Sequence, residues 1–186
     1  NVHIFGTRDV TDWMMIKSHE MIKNILDSLK VTSYQDKFKG HELFIITDRD
    51  PIVPGGVPGH RNTGMGTYTV INQDIVCRVA VDTIYPDLDA SYRAWDTPVH
   101  EFGHSLEIQL DPNRGIIDIY KANDQNYSPS YDYEYFSWAI EKWFNASYAG
   151  KYTRSSLSNY SRDYLENFFL EENTWTPNCN GYPQKD

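Results

Sequence analysis

A motif of two histidines and a glutamate is the feature that most constrains this chain. His100 and His104 are four positions apart, and Glu101 directly follows the first histidine. On a helix, this spacing places both imidazoles on one face, one turn apart. Such a pair can supply two nitrogen ligands to one Zn²⁺ ion, at about 2.0–2.1 Å each. The motif therefore predicts a helix that carries a catalytic zinc ion.

Glu101 is predicted to be the general base of this site. Beside a zinc-bound water, its carboxylate can take the proton of that water and later pass it to a leaving amine. The predicted helix begins at Thr97, which suits the N-cap, with Pro98 at the first helical position. Gly103, between the ligands, is expected to let another element pack closely against this helix.

The order of the predicted elements indicates an α+β fold. A helix, a buried strand and a β-rich stretch come first, and three helices follow. Their ranges are 12–29, 41–47, 67–81, 97–110, 131–145 and 159–171. Residues 51–66 are rich in Gly and Pro and are expected to form a long loop.

The third metal ligand has several candidates. A catalytic zinc ion needs three protein ligands and one open position. The metzincin pattern is excluded, because it requires Gly and His where the chain has Glu107 and Leu110. Cys77 could supply a thiolate, as in deformylase-type sites, but no supporting sequence surrounds it. The remaining class takes a glutamate from a later helix, and the predicted helix 131–145 contains Glu134 and Glu141.

The motif, together with the segment Glu134-Tyr135-Phe136-Ser137, resembles gluzincin-type zinc metallopeptidases of the group that includes the anthrax lethal factor catalytic domain and the clostridial Pro-Pro endopeptidases. The resemblance covers about residues 95–145. It implies a zincin-like domain with a small mixed sheet, an active-site helix and following C-terminal helices. It also implies that Glu134 is the third ligand and that Tyr127 helps to stabilise the oxyanion. The chain differs at Trp138, where lethal factor has a glutamate.

Composition narrows the remaining possibilities. A chain of 186 residues is expected to form one domain, residues 1–186. Its net charge of −9 argues against a nucleic-acid partner. No apolar run reaches the roughly 18 residues that span a bilayer, so we expect no membrane partner. We also expect the protein to be a monomer. The chain begins at Asn1 rather than Met, which suggests removal of a leader and secretion. Cys77 and Cys179 are compatible with one bridge or with two free thiols.

The sequence thus predicts a secreted zinc-dependent endopeptidase. Its polypeptide substrate is expected to lie extended in the cleft and to pair with an edge strand, for which residues 67–72 are the candidate. The loop 54–66 is expected to close over the substrate, with His60 as a contact or a plain surface residue. Two alternatives stay open: a deformylase-like zinc hydrolase of a non-peptide amide, with Cys77 as ligand, and a zinc-stabilised binding module without turnover.

Overall fold

A computed structural model describes residues 1–47, 63–64, 66–73, 76, 96–121, 134–146 and 153–177. These residues form a mixed α+β fold with four strands, six α-helices and one 3₁₀ turn. In chain order the elements are β1 His3–Gly6, α1 Asp12–Asp27, α2 Thr32–Asp36, β2 Glu42–Ile46, β3 Thr63–Gly64, β4 Tyr68–Asn72, α3 Asp96–Leu110, α4 Gly115–Lys121, α5 Tyr135–Trp143, the 3₁₀ turn Arg154–Ser156, and α6 Asn159–Leu165. No helix among them is long and apolar enough to cross a membrane.

The sheet is small and mixed, with the strand order β1-β2-β4-β3. Strands β1, β2 and β4 are parallel, and β3 pairs antiparallel with β4 through Thr63 and Gly64. The edges of the described sheet are therefore β1 and β3. The expectation that residues 67–72 form an edge strand is wrong, because β4 lies between β2 and β3.

One cluster of buried side chains joins the sheet to the helices. Leu43 and Ile45 of β2 and Ile71 of β4 point to the helical side and are fully buried. They belong to the same cluster as the inner faces of α1, α3, α5 and α6. The opposite face of the sheet holds a second, smaller cluster around Ile46 and Val70. Burial on both faces explains why β2 reads as an almost continuous apolar run.

The strongest helix and strand predictions are confirmed. Helix α1 starts after Thr11, whose hydroxyl accepts from the backbone N–H of Met14, and ends two residues before the predicted limit. Strand β2 and helix α5 fall within their predicted ranges. Most apolar side chains of α5 are buried, and so is its C-cap residue Phe144: the buried apolar residues of the helix are Tyr135, Phe136, Ala139, Ile140 and Trp143.

Other boundaries differ from the predictions. Helix α3 begins at Asp96, so Thr97 is not its N-cap. Pro98 instead lies inside the first turn, where a missing N–H breaks no intrahelical bond. The predicted loop 51–66 is wrong at residues 63–64, which form β3. Much of the predicted β-rich stretch beyond Asn72 lies outside the described residues.

The last helix is shorter than predicted because the chain turns back to the end of α1. Helix α6 ends at Leu165 rather than near residue 171. Lys30 then donates its backbone N–H to the carbonyl of Phe168, and Leu170 donates to the carbonyl of Ser28. Phe168 and Phe169 are buried by this return. Tertiary packing thus overrides a helical pattern that local spacing favours.

Candidate metal centre

Helix α3 carries the histidine motif and lies against the sheet. Val99, Phe102 and Leu106 form its inner face and are completely buried. His100 and His104 lie on another side of the helix and are about one-fifth exposed.

A buried polar chain attaches α3 to the sheet. The hydroxyls of Ser105 and Thr69 are 2.8 Å apart, and Thr69 Oγ1 lies 2.9 Å from Nε2 of His41. The His41 ring packs against the rings of Phe38 and Phe102, which also contact each other. Burial lowers the pKa of His41 to about 4, against the opposing effect of the Gly66 backbone. His41 is therefore neutral near pH 7 and links β2, β4 and α3.

Close packing of α5 on α3 depends on Gly103. A Cβ atom at this position would lie 2.8 Å from Cγ2 of Ile140 and 3.1 Å from Cα of Ser137. A methyl group there would fit only if α5 moved by a few tenths of an ångström, which confirms the predicted close approach. Contact at this point brings Glu134, the N-cap residue of α5, to the motif on α3.

Three possible ligand atoms converge where the two helices meet. His100 Nε2 lies 3.1 Å from His104 Nε2 and 2.8 Å from Oε2 of Glu134. The third distance, His104 Nε2 to Glu134 Oε2, is 3.4 Å. Atoms at 2.0–2.1 Å from one ion at tetrahedral corners lie roughly 3.3 Å apart. His100, His104 and Glu134 are thus arranged so that they could hold one metal ion.

The electrostatics of the two imidazoles differ. Burial disfavours a charge on His100, but the hydrogen bond and charge of Glu141, with the charges of Glu101 and Glu134, raise its pKa above the ordinary value. Burial and the charge of His100 lower the pKa of His104, against the opposing effect of Glu134. Three carboxylates therefore make this position favourable for a cation.

Two other glutamates have positions that separate them from the cluster. Glu141, the rival third ligand, lies on the far side of the His100 ring, with its Oε1 2.5 Å from Nδ1. Glu107 is buried, and its Oε1 lies 3.0 Å from Nε of Arg114.

The predicted site residues are only partly described by the structure. His100, His104 and Glu134 come together, and Glu101, which follows His100 on α3, is partly buried. Tyr127 lies outside the described residues, as do Cys77, Cys179 and His60. Their predicted roles therefore stay predictions.

Sequence reasoning missed two features of this site. One is the polar chain from His41 to Ser105, for which no local signal exists because its members lie on three elements. The other is the contact of Glu141 with His100. Its signal was present: Glu134 and Glu141 are seven positions apart, about 20° short of two full helical turns. Both carboxylates therefore lie on the same side of α5.

Comparisons with known proteins add no assignment. The chain matches no protein-family model, no curated protein and no solved structure. The functional argument therefore rests on the residues and their geometry.

Proposed function

We propose that the protein is a secreted zinc-dependent endopeptidase of the gluzincin type with a zincin-like domain. The observation that carries the proposal is the mutual contact of His100 Nε2, His104 Nε2 and Glu134 Oε2 at 2.8–3.4 Å. Two imidazoles and one carboxylate form a common ligand set of catalytic zinc sites. When bound, Zn²⁺ supplies Lewis acidity, which lowers the pKa of a coordinated water to about 7 and polarises a carbonyl.

Glu101 acts as the base and then as the acid. Its carboxylate accepts a proton from the attacking water and delivers it to the nitrogen of the leaving amine. Glu101 carries one proton of the water to the nitrogen, and the second proton leaves the new carboxyl group for the same amine, so the products are a carboxylate and an ammonium group. Two observations support this role: the side chain is only partly buried, and its charge contributes to the raised pKa of His100. Tyr127 remains the proposed hydrogen-bond donor to the oxyanion.

The polypeptide substrate is proposed to lie extended along β3. This short strand is an edge of the described sheet, next to the strand that is bonded to α3 through Thr69 and Ser105. Edge strands present unpaired backbone groups to which an extended peptide can add. The edge is thus β3 rather than residues 67–72. Nucleic acid and membrane are not proposed as partners, and the active form is proposed to be a monomer.

The first test compares the wild type with Glu101→Gln for zinc content and for cleavage of a peptide library. We expect about one zinc per chain in both proteins and cleavage only by the wild type, because the substitution removes the base and spares the ligands. Glu42→Gln is the matched control, since it removes the same charge from an exposed position on β2. A wild type without zinc would refute the proposal. Zinc binding without cleavage would favour the binding module or the non-peptide amide hydrolase.

A further inference from the structure

We propose that Glu141 is a positioning residue of the metal centre, which fixes the proton of His100 on Nδ1 and so directs the Nε2 lone pair toward the cation. The inference rests on the metal site of the proposed function, but not on its reaction. The observation behind it is the 2.5 Å contact between Glu141 Oε1 and His100 Nδ1. Both side chains are mostly buried, with 14% and 17% exposed.

The direction of this hydrogen bond follows from the two groups. An ionised carboxylate can only accept, so Nδ1 of His100 must donate. A neutral imidazole with its proton on Nδ1 has a lone pair on Nε2. That lone pair faces Glu134 Oε2 at 2.8 Å and His104 Nε2 at 3.1 Å. Electron pairs in such contact repel one another, and a cation among them removes the repulsion.

The geometry of α5 explains why this position supplies the acceptor. Glu141 lies two turns after Glu134, about 10.5 Å further along the helix axis and rotated by only about 20°. The two carboxylates can therefore reach opposite nitrogens of one imidazole. Trp138, one turn after Glu134, is 41% exposed and carries no acceptor. The orienting carboxylate of the described site thus comes from the second turn.

The expected consequence is a change in metal affinity rather than in turnover. A ligating histidine normally donates its second N–H to a neighbouring acceptor, and loss of that acceptor weakens metal binding about 10–100-fold. Without Glu141, His100 can place its proton on Nε2, where it blocks coordination. Once a Glu141 variant is saturated with zinc, its three ligands and Glu101 are all in place, so its turnover should change little.

The experiment measures zinc dissociation constants by competition with a chromophoric chelator and records the visible spectrum of the Co²⁺ form. The variants are Glu141→Ala and Glu141→Asp, the second of which keeps the charge but withdraws the carboxylate by one methylene. Asp111→Ala is the matched control. Asp111 is also a buried carboxylate, and it accepts from the backbone N–H groups of Ile116 and Ile117.

We expect both Glu141 variants to bind zinc about 10–100-fold more weakly and to shift the Co²⁺ spectrum, with wild-type affinity in Asp111→Ala. Wild-type affinity and spectrum in both Glu141 variants would overturn the inference. An equal loss of affinity in Asp111→Ala would also overturn it, because the loss would then report general damage to the fold. Failure of the proposed function would be visible separately, as zinc binding by a wild type that cleaves no peptide.

Discussion

At the scale of single residues, the choice between Glu134 and Glu141 could not be made from the residues alone. Both are glutamates on the same side of α5, so helical spacing treats them alike. Their roles are separated by which nitrogen of His100 each one approaches, Nε2 for Glu134 and Nδ1 for Glu141. That separation depends on how far α5 is displaced along α3, which no local pattern encodes. The spacing of His100 and His104, by contrast, is local, so their shared helix face could be predicted from the sequence.

His41 leads to a prediction about stability and pH. Its pKa is about 4 in the folded protein and about 6.5 in a free chain. Between these values the unfolded chain binds more protons, so the free energy of unfolding falls as the pH is lowered. At pH 4.5 the loss from this residue is about 2–3 kcal/mol relative to pH 7.5.

The measurement is urea unfolding of metal-free wild type and His41→Gln at pH 7.5 and 4.5. The difference between the two pH values should be about 2–3 kcal/mol smaller in the variant. Carboxylates titrate in both proteins and cancel in this comparison. An equal pH dependence of the two proteins would show that His41 takes up its proton in the folded state as readily as in the unfolded chain.

At the scale of elements, segments with a marked apolar pattern were predictable, and short segments without one were not. The apolar stripe of α5 and the first helix α1 follow from periodicity, because each buries one face. Strand β1 and helix α2 have four and five residues, too few for a period to emerge, and both were missed. The edge position was misassigned because sequence order does not reveal that β3 pairs outside β4.

Contact between α3 and α5 gives a prediction at this scale. In Gly103→Ala, the new methyl group would meet the backbone of Ser137, which cannot move unless α5 moves. We expect a loss of roughly 1–3 kcal/mol in the free energy of unfolding, from overpacking. Zinc affinity should fall as well, because Glu134 shifts with α5.

Gly115→Ala is the control for that substitution. Gly115 opens α4, and no atom lies within 4 Å of a Cβ placed there. Its replacement should leave stability unchanged or raise it by up to about 1 kcal/mol through helix propensity. Chemical unfolding and zinc titration of both variants provide the comparison. Wild-type zinc affinity in Gly103→Ala would mean that α5 holds Glu134 independently of this contact.

At the scale of the whole molecule, the candidate metal centre joins parts of the chain that lie far apart in sequence. His100 lies on α3, which is bonded to the sheet, and Glu134 is the N-cap residue of α5, which packs on both α3 and α6. An ion that binds both helices stabilises the folded state over the unfolded chain. At a free zinc concentration of 100 times the dissociation constant, this stabilisation is about 2.7 kcal/mol.

Removal of zinc should therefore lower the melting temperature. For a chain of this size, that free energy corresponds to roughly 5–11 °C. Calorimetry with excess zinc and with a chelator provides the measurement. In Glu134→Ala, the difference in melting temperature between excess zinc and chelator should be mostly lost, because the variant lacks one ligand. A wild type that melts at the same temperature in both conditions would contradict the prediction.

Pairing of residues 28–30 with residues 168–170 also has a consequence for the order of assembly during synthesis. Phe169 packs on Trp143 and Phe144, at the end of α5. At 5–20 residues per second, a ribosome adds residues 100 to 170 in roughly 3–14 s. The histidines are therefore synthesised several seconds before the segment that covers the C-terminal end of α5. The pairing that covers this end of α5 can therefore form only after residue 170 has been synthesised.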